Sequence, residues 1–257
     1  NDYKSMSKPR KRFGQHFLTD RAVLNRILSN IQAREEQHLI EIGPGRGALT
    51  EGLAQTGCKL TLIEIDRNLS SQLRKKFPQA RLIVQDVMKF KFSQLGPGPL
   101  RVVGNLPYNI STPLMFQLFD EKERIVDMHF MLQLEVVDRI IAAPSTRAYG
   151  RLSVMTQLHC EAEKLFEVPP EAFSPRPKVR SAIVRLRHRG QTFEASSLLK
   201  QVLTKAFNSR RKTVRNALKT LLNAEDFEKL GIDPSVRPEN LTLDQFTACA
   251  NYLKARQ

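Results

Sequence analysis

Short apolar runs that alternate with amphipathic stretches, a glycine-rich loop directly after the first of those runs, and purely helical periodicity beyond residue 190 predict an α/β fold with a small all-helical C-terminal domain. Strands alternating with helices imply a parallel, doubly wound sheet. His38–Ile42 reads as a buried strand and Ala48–Ala54 as a helix. Leu60–Ile65 is the next strand, Leu69–Phe77 the next helix, and Arg81–Val84 and Leu100–Asn105 follow as strands. A helix over Thr112–Phe119, a fifth strand over Val126–Leu132 and a helix over Glu135–Ala142 continue the pattern. Glu161–Val168 and Val179–Arg187 are rich in β-forming residues with little helix between them, and should pair as an antiparallel ribbon at one edge of a seven-stranded, mostly parallel sheet.

Near Arg189–Thr192 the pattern changes. Leu198, Leu199, Val202 and Leu203 form one helical stripe, and Val214, Leu218, Leu221 and Leu222 another. The boundary is therefore set between a domain of residues 1–189 and a helical domain of residues 190–257.

The chain has 257 residues, 41% of them hydrophobic, which suits one large domain with an appendage. No stretch is long and apolar enough to span a bilayer, and no signal peptide is visible, so no membrane partner is expected. Cys58, Cys160 and Cys249 are odd in number and far apart, which offers neither a disulfide framework nor a metal-ligand spacing. A reducing cytoplasm and the absence of a metal are the expectations. His38, His129, His159 and His188 show no ligand spacing either.

The formal charge is +15, and it is segregated. Residues 1–14 carry five Lys/Arg against one acid, residues 174–257 carry 17 against 7, and the middle is nearly neutral. Two basic ends around a neutral core read as a phosphate footprint, with solvated charged faces as the alternative. Lys8, Arg10, Lys11 and Arg12 supply one end. Arg211, Arg215 and Lys219 fall at i, i+4, i+8, on one helical face opposite the Val214–Leu222 stripe, and Arg210 and Lys212 adjoin them. Such a row can track an RNA backbone.

Glu41-Ile42-Gly43-Pro44-Gly45-Arg46-Gly47 joins the first strand to the first helix. Ligands bind at the carboxyl ends of strands in open α/β sheets, and glycines there let the backbone approach closely. A kinase-type loop requires Gly-Lys-Ser/Thr, which is missing; a dinucleotide loop prefers G-x-G-x-x-G, whereas this one is G-x-G-x-G. A tight structural turn remains open. Glu41 is awkward beside a pyrophosphate but suits the amino or sulfonium part of S-adenosylmethionine. Glu64, ending the second strand, can accept both ribose hydroxyls, with Asp66 as runner-up, and Asp86 after the third strand can accept from an adenine amine. Each acid has an alternative reading as a helix N-cap or surface charge.

Asn105-Leu106-Pro107-Tyr108 follows the apolar run that ends the fourth strand. The 6-amino group of adenine is a poor nucleophile, because its lone pair is delocalised into the ring. An enzyme that methylates it needs acceptors for its two protons, not a strong base. The Asn105 side-chain carbonyl and the Leu106 backbone carbonyl can fill that role. Pro107 removes a competing amide, and Tyr108 offers a ring on which a base can stack. The target base has to leave its stack to reach such a site.

Taken together, these residues resemble the KsgA/RsmA family of ribosomal RNA small subunit adenine dimethyltransferases almost end to end. The motifs are Phe13–Leu18, Glu41–Gly47, Asn105–Tyr108, Gln133–Arg139, Tyr149–Ser153, Phe173–Val179 and Ala206–Thr213. His16 departs from the Asn that the family usually carries. The resemblance implies a Rossmann-like class I methyltransferase domain, a helical RNA-binding domain, and transfer of four methyls to two adjacent adenosines in the 3′-terminal hairpin of 16S rRNA. The donor would be S-adenosylmethionine, leaving S-adenosylhomocysteine, and the substrate an assembled small subunit or its precursor, met by a monomer. By position, Gln15, His16, Leu18, Gly43, Gly45, Glu64, Asp86 and Asn105 would contact the donor. Asn105, Leu106 and Tyr108 would hold the target adenine, and Phe173 would cover its other face. Three rivals stay open: the related large-subunit enzyme of macrolide resistance, a non-catalytic RNA-binding assembly factor, and an NAD-dependent oxidoreductase. The last is disfavoured by the glycine spacing.

Overall fold

The structure is a computed structural model that describes residues 16–189, 197–208 and 211–256. Seven strands form the main sheet: β2 (His38–Ile42), β3 (Lys59–Glu64), β4 (Arg81–Val84), β5 (Leu100–Asn105), β6 (Ile125–Gln133), β7 (Cys160–Val168) and β9 (Ser181–His188). Their order is β4-β3-β2-β5-β6-β9-β7, parallel from β4 to β6, with β9 antiparallel to β6. The seven-stranded, mostly parallel α/β fold is therefore present, and the expected ribbon lies at the β7 edge with β9 as neighbour. A second, two-stranded sheet pairs β1 (Phe17–Leu18) antiparallel with β8 (Phe173–Ser174).

The continuous apolar runs explain the central strands. Leu39 and Ile40 of β2 and Val102 and Val103 of β5 are fully buried, as strands covered on both faces require. Helices α1 (Arg21–Ile31), α2 (Ala48–Ala54), α3 (Arg67–Lys76), α4 (Ser111–Phe119) and α5 (Leu134–Ile141) connect or cover them. Asp20 caps α1 through the amides of Ala22 and Val23, and Asp66 caps α3 through those of Asn68 and Leu69. Beyond α1, Arg101 anchors the helix to the sheet. Its Nε and Nη2 each donate to Asp127 at 2.8 Å, and Nη2 also donates to the Ile31 carbonyl at 2.7 Å. At the point where β5 passes β2, a Cβ on Gly104 would lie 2.6 Å from the Ile42 carbonyl, so only glycine permits this spacing.

The chain runs outward from β2 through β3 to β4, then returns to β5 on the other side of β2. The carboxyl ends of β2 and β5 thus meet at the topological switch point, where open α/β sheets bind ligands. The loops there are the glycine loop and Asn105–Tyr108.

Contacts divide the chain into two compact units. One holds residues 1–137 and 162–188; the other holds 138–161 and 189–257. The expected division at residue 189 marks where the long segment of the second unit begins, but residues 138–161 group with the helices and not with the sheet domain. The second unit contains α6 (Arg151–His159), α7 (Ser197–Asn208), α8 (Val214–Leu218), α9 (Ala224–Lys229) and α10 (Leu243–Lys254). Within it Phe207 packs against Tyr149 and Phe246, with ring centroids 6.2 and 5.5 Å apart. Asp226 accepts from Tyr252 at 2.7 Å and from Arg256 at 2.8 Å, which ties α9 to the C-terminal helix.

The row Arg211, Arg215, Lys219 does not lie on one helical face as its spacing suggested. Thr213 caps α8, and the amides of Val214 and Arg215 donate to the carbonyls of Val236 and Pro234, so the helix starts after Arg211. It ends at Leu218, which leaves Lys219 as its cap residue.

Candidate active site

A cavity of about 620 Å³ opens at the switch point. It brings together, from six separate strand ends and loops, most of the residues that the sequence singled out. His16, Leu18, Gly43, Gly45, Glu64 and Asp86 border it, as do Asn105, Leu106, Tyr108 and Phe173. Gln15 lies outside the described residues, as do Lys8, Arg10, Lys11, Arg12 and Arg210. Arg211, Lys212, Arg215 and Lys219 are exposed.

The glycine loop is shaped by backbone angles that other residues rarely adopt. Gly43 and Gly45 have φ of 65° and 58°, and a Cβ on Gly45 would meet the Phe17 ring at 3.0 Å. Glu64 is held at the end of β3 by two amides: Asp66 donates to Oε1 at 2.9 Å and Gly45 donates to Oε2 at 3.2 Å. The glycine loop and the acid are therefore one hydrogen-bonded unit. Burial holds the Glu64 carboxyl above its ordinary range, opposed by these amides. Asp66, the runner-up, is occupied in capping α3 and does not border the cavity. Asp86 caps a short 3-10 turn at Val87–Lys89 through Met88, using Oδ1, and still borders the cavity.

Glu41 is buried two residues back from Gly43. Thr50 Oγ1 donates to it at 2.6 Å. Burial, reinforced by the charge of Glu64 and opposed by the Thr50 hydrogen bond, pushes its pKa up to about 7.

The Asn105–Tyr108 loop is fixed by contacts with the N-terminal segment and the β8 loop. Asn105 Nδ2 donates to the His16 carbonyl at 3.1 Å. The His16 imidazole stacks on Tyr108, with centroids 6.3 Å apart and planes inclined by 27°, and its Nδ1 lies 2.8 Å from the Pro175 carbonyl. Leu106 donates its amide to the Met131 carbonyl at 3.2 Å. The pairing of β1 with β8 sets Leu18 opposite Phe173. Three segments far apart in sequence thus close over one slot. Among the described residues nothing donates to Asn105 Oδ1 or to the Leu106 carbonyl.

Some lining residues had not been singled out. Ile65 was read as the last residue of a strand, but the strand ends at Glu64 and Ile65 stands 46% exposed on the cavity wall. A large apolar residue immediately after the acid that ends a parallel strand is the signal that could have found it. His129, Met131 and Ile183 border the cavity from β6 and β9, at depths that only the sheet register discloses.

The family model for ribosomal RNA adenine dimethylase matches residues 6–255. The chain belongs to that family. A ribosomal RNA small subunit methyltransferase A of Vibrio parahaemolyticus is 51% identical over 98% of this chain and 97% of its own length. Among solved structures, a dimethyladenosine transferase from Plasmodium falciparum superposes with a TM-score of 0.84 at 24% identity, over 94% of this chain and 98% of that one, a likeness that bears on the fold. The 23S rRNA methyltransferase ErmE superposes with a TM-score of 0.71 at 26% identity, over 93% and 99%. In this ribosomal RNA adenine dimethylase family member, the described residues hold no group of three or more His, Cys, Asp or Glu able to bind a metal. No helix among them is long and apolar enough to cross a membrane.

Proposed function

We propose that the chain is an S-adenosylmethionine-dependent rRNA adenine dimethyltransferase of the small ribosomal subunit, acting on two adjacent adenosines in the 3′-terminal hairpin of 16S rRNA. The observation that carries this reading is the pinned amide of Asn105: its NH₂ is committed to His16, which leaves its carbonyl as the end to accept, and Asn105 borders the same cavity as the glycine loop. Identity of 51% to a small-subunit enzyme, against 26% to a 23S enzyme, favours the small subunit over the macrolide-resistance alternative.

The cavity fits the donor. Gly43 and Gly45 bring backbone to its wall, Glu64 presents a carboxylate for ribose hydroxyls, and Ile65 offers an apolar face for the donor's adenine beside Asp86. His16 and Leu18 border the cavity and contact the donor, a task that the sequence also gives to Gln15, and Glu41 lies behind the loop. S-adenosylmethionine supplies a methyl on a positively charged sulfur. Asn105 and the Leu106 carbonyl accept the two protons of the target amine and stabilise the positive charge that grows on nitrogen, an oxyanion hole with the sign reversed. Tyr108 and Phe173 hold the flipped base, at roughly 1–3 kcal/mol per stacked ring. No base has to act before transfer, because the proton becomes acidic once nitrogen is alkylated.

The basic ends hold the RNA backbone. Arg211, Lys212, Arg215 and Lys219 present exposed cations for this. Lys8, Arg10, Lys11, Arg12 and Arg210, outside the described residues, are assigned to the same task from the sequence. The family resemblance makes the substrate an assembled small subunit or its precursor, met in the cytoplasm by a monomer, and recognition of A-form RNA by shape and backbone suits such a folded particle. Incubating the protein with labelled S-adenosylmethionine and unmethylated 30S particles, then mapping the label, tests the reading. Label on adjacent adenosines near the 3′ end is expected; label confined to 23S rRNA, or none, overturns it.

A further inference from the structure

Beside Asn105 the cavity wall is built from apolar side chains. The register of β5 and β6 sets Asn105 beside Met131, and that of β6 and β9 sets Met131 beside Ile183. Leu18 and Phe173 belong to the same core cluster as these two, and all four border the cavity. The slot that holds the amine is therefore flanked on one side by side chains that neither donate nor accept hydrogen bonds.

That asymmetry matters for a reaction performed twice on one nitrogen. The unmethylated amine offers two protons, one to Asn105 Oδ1 and one to the Leu106 carbonyl. After one transfer it offers a single proton. To present its lone pair again, the nitrogen must turn about the exocyclic bond, and the first methyl then occupies a place a proton had held. On the Leu106 side that place is backbone: the Leu106 amide is bonded to Met131 and Pro107 follows, so the wall cannot recede. On the Asn105 side the neighbour in the sheet is Met131, with Ile183 one strand further on, and both border the open cavity.

We propose that the recess bordered by Met131, Ile183 and Leu18 receives the first methyl group and thereby sets dimethyladenosine, not monomethyladenosine, as the product. The inference rests on the adenine-methylating reading of the site. Each transfer forms one N–C bond as one S–C bond breaks, leaves a neutral thioether, and releases one amine proton to solvent water. In the second transfer the Leu106 carbonyl accepts the remaining proton while the methyl lies against the apolar wall.

The test fills the recess and reads the ratio of the two steps. Ile183→Phe adds a ring where the methyl is to lie; Ile183→Ala enlarges the space. Protein, S-adenosylmethionine and unmethylated 30S particles are mixed, and N6-monomethyl- and N6,N6-dimethyladenosine are quantified over time. In Ile183→Phe the second-to-first rate ratio should fall by about tenfold or more, the discrimination that a pocket gains by excluding a methyl, with monomethyladenosine accumulating. Ile183→Ala should keep the ratio within about twofold of the parent. A merely structural role for Ile183 lowers both steps together, and that result, or an unchanged ratio, overturns the inference. Thermal melting and donor binding establish that each variant is folded; if Ile183→Phe is not, Met131→Phe is read in the same way. Parent protein that makes neither product sinks the functional reading itself, and this inference with it. Parent protein that makes both, beside an unmoved ratio in the variant, sinks the recess alone.

Discussion

Asn105 and His16 are joined by a hydrogen bond from the Asn105 side-chain amide to the His16 main-chain carbonyl, 3.1 Å long. An Asn side chain has two chemically opposite ends, and this bond decides which end meets the cavity. Its donor satisfies a carbonyl of the N-terminal segment, which in the proposed function leaves its acceptor for the target amine. Asn105→Ala removes both ends and should lower the single-turnover methylation rate by roughly two to three orders of magnitude, as loss of one preorganised polar partner does elsewhere. Asn105→Asp should lose as much, because a carboxylate facing the His16 carbonyl has no proton to share. Rates near the parent's in either variant would exclude Asn105 from the chemistry.

In the proposed function Tyr108 acts through its ring. Its hydroxyl lies 3.4 Å from Ser181 Oγ, a long contact that contributes little. Tyr108→Phe, like Ser181→Ala, should keep kcat/KM within a few-fold, whereas Tyr108→Ala forfeits about 1–3 kcal/mol of stacking and falls by about 5- to 150-fold. Equal damage from Tyr108→Phe and Tyr108→Ala, measured as kcat/KM on 30S particles, would place the function in the hydroxyl.

The strands and the glycine loop were legible because local chemistry determines them. His38–Ile42, Arg81–Val84 and Leu100–Asn105 end where their apolar runs end. Helix α1 was legible too, though not among the expected elements: Val23, Leu24, Ile27, Leu28 and Ile31 make a stripe behind the Asp20 cap. Helix α6 offers no such stripe, because Ser153, Val154, Met155 and Thr156 are buried in succession. The pairing of Leu18 with Phe173 joins two-residue strands far apart in the chain, so no local periodicity announces it. The same holds for Met131 beside Asn105, which follows from register alone. The cationic row failed because spacing cannot reveal where a helix starts, and amides bonded to Pro234 and Val236 set the start of α8.

Arg101 and Asp127 form a bidentate pair whose side chains are 11% and 14% exposed. Arg101→Ala leaves the Asp127 carboxylate buried without its partner and frees the carbonyl end of α1. It should destabilise the sheet unit by about 3 kcal/mol, the lower range for breaking a buried pair. Urea unfolding followed on the sheet unit measures this, and a loss below about 1 kcal/mol would show that water replaces the pair.

Glu41 makes stability and donor binding depend on pH in opposite senses. Its pKa is near 7 in the folded chain, against an ordinary value of 4.5. The folded chain therefore holds an extra proton between these values, and this contribution to stability is complete below about 4.5 and lost as pH rises through 7. His38 and His129, held down to about 4 by burial, act the other way: the unfolded chain holds more protons up to about 6.5, so their effect raises stability as pH rises. The parent profile mixes these slopes, so the informative quantity is the difference from Glu41→Gln, which keeps an acceptor for Thr50. That variant should gain stability relative to the parent as pH rises from 4.5 to 7. Affinity for the cationic donor should rise over the same range in the parent, and stay flat in the variant. Parallel profiles by calorimetry would place the charge of Glu41 out of reach of the donor.

Arg211 and Arg215 are exposed on either side of the start of α8, without a common helical face to align them. They can each neutralise a phosphate without forming a continuous track. Counterion release then assigns a separate share to each, so removing one should lower the slope of log K against log salt by about 0.7–0.9, and removing both by about twice that. A track read as a unit would lose most of its slope with the first substitution. Binding of 30S particles to Arg211→Ala, Arg215→Ala and the double variant between low and physiological salt distinguishes the two. An unchanged slope in the double variant would move the RNA to another face of the helical unit.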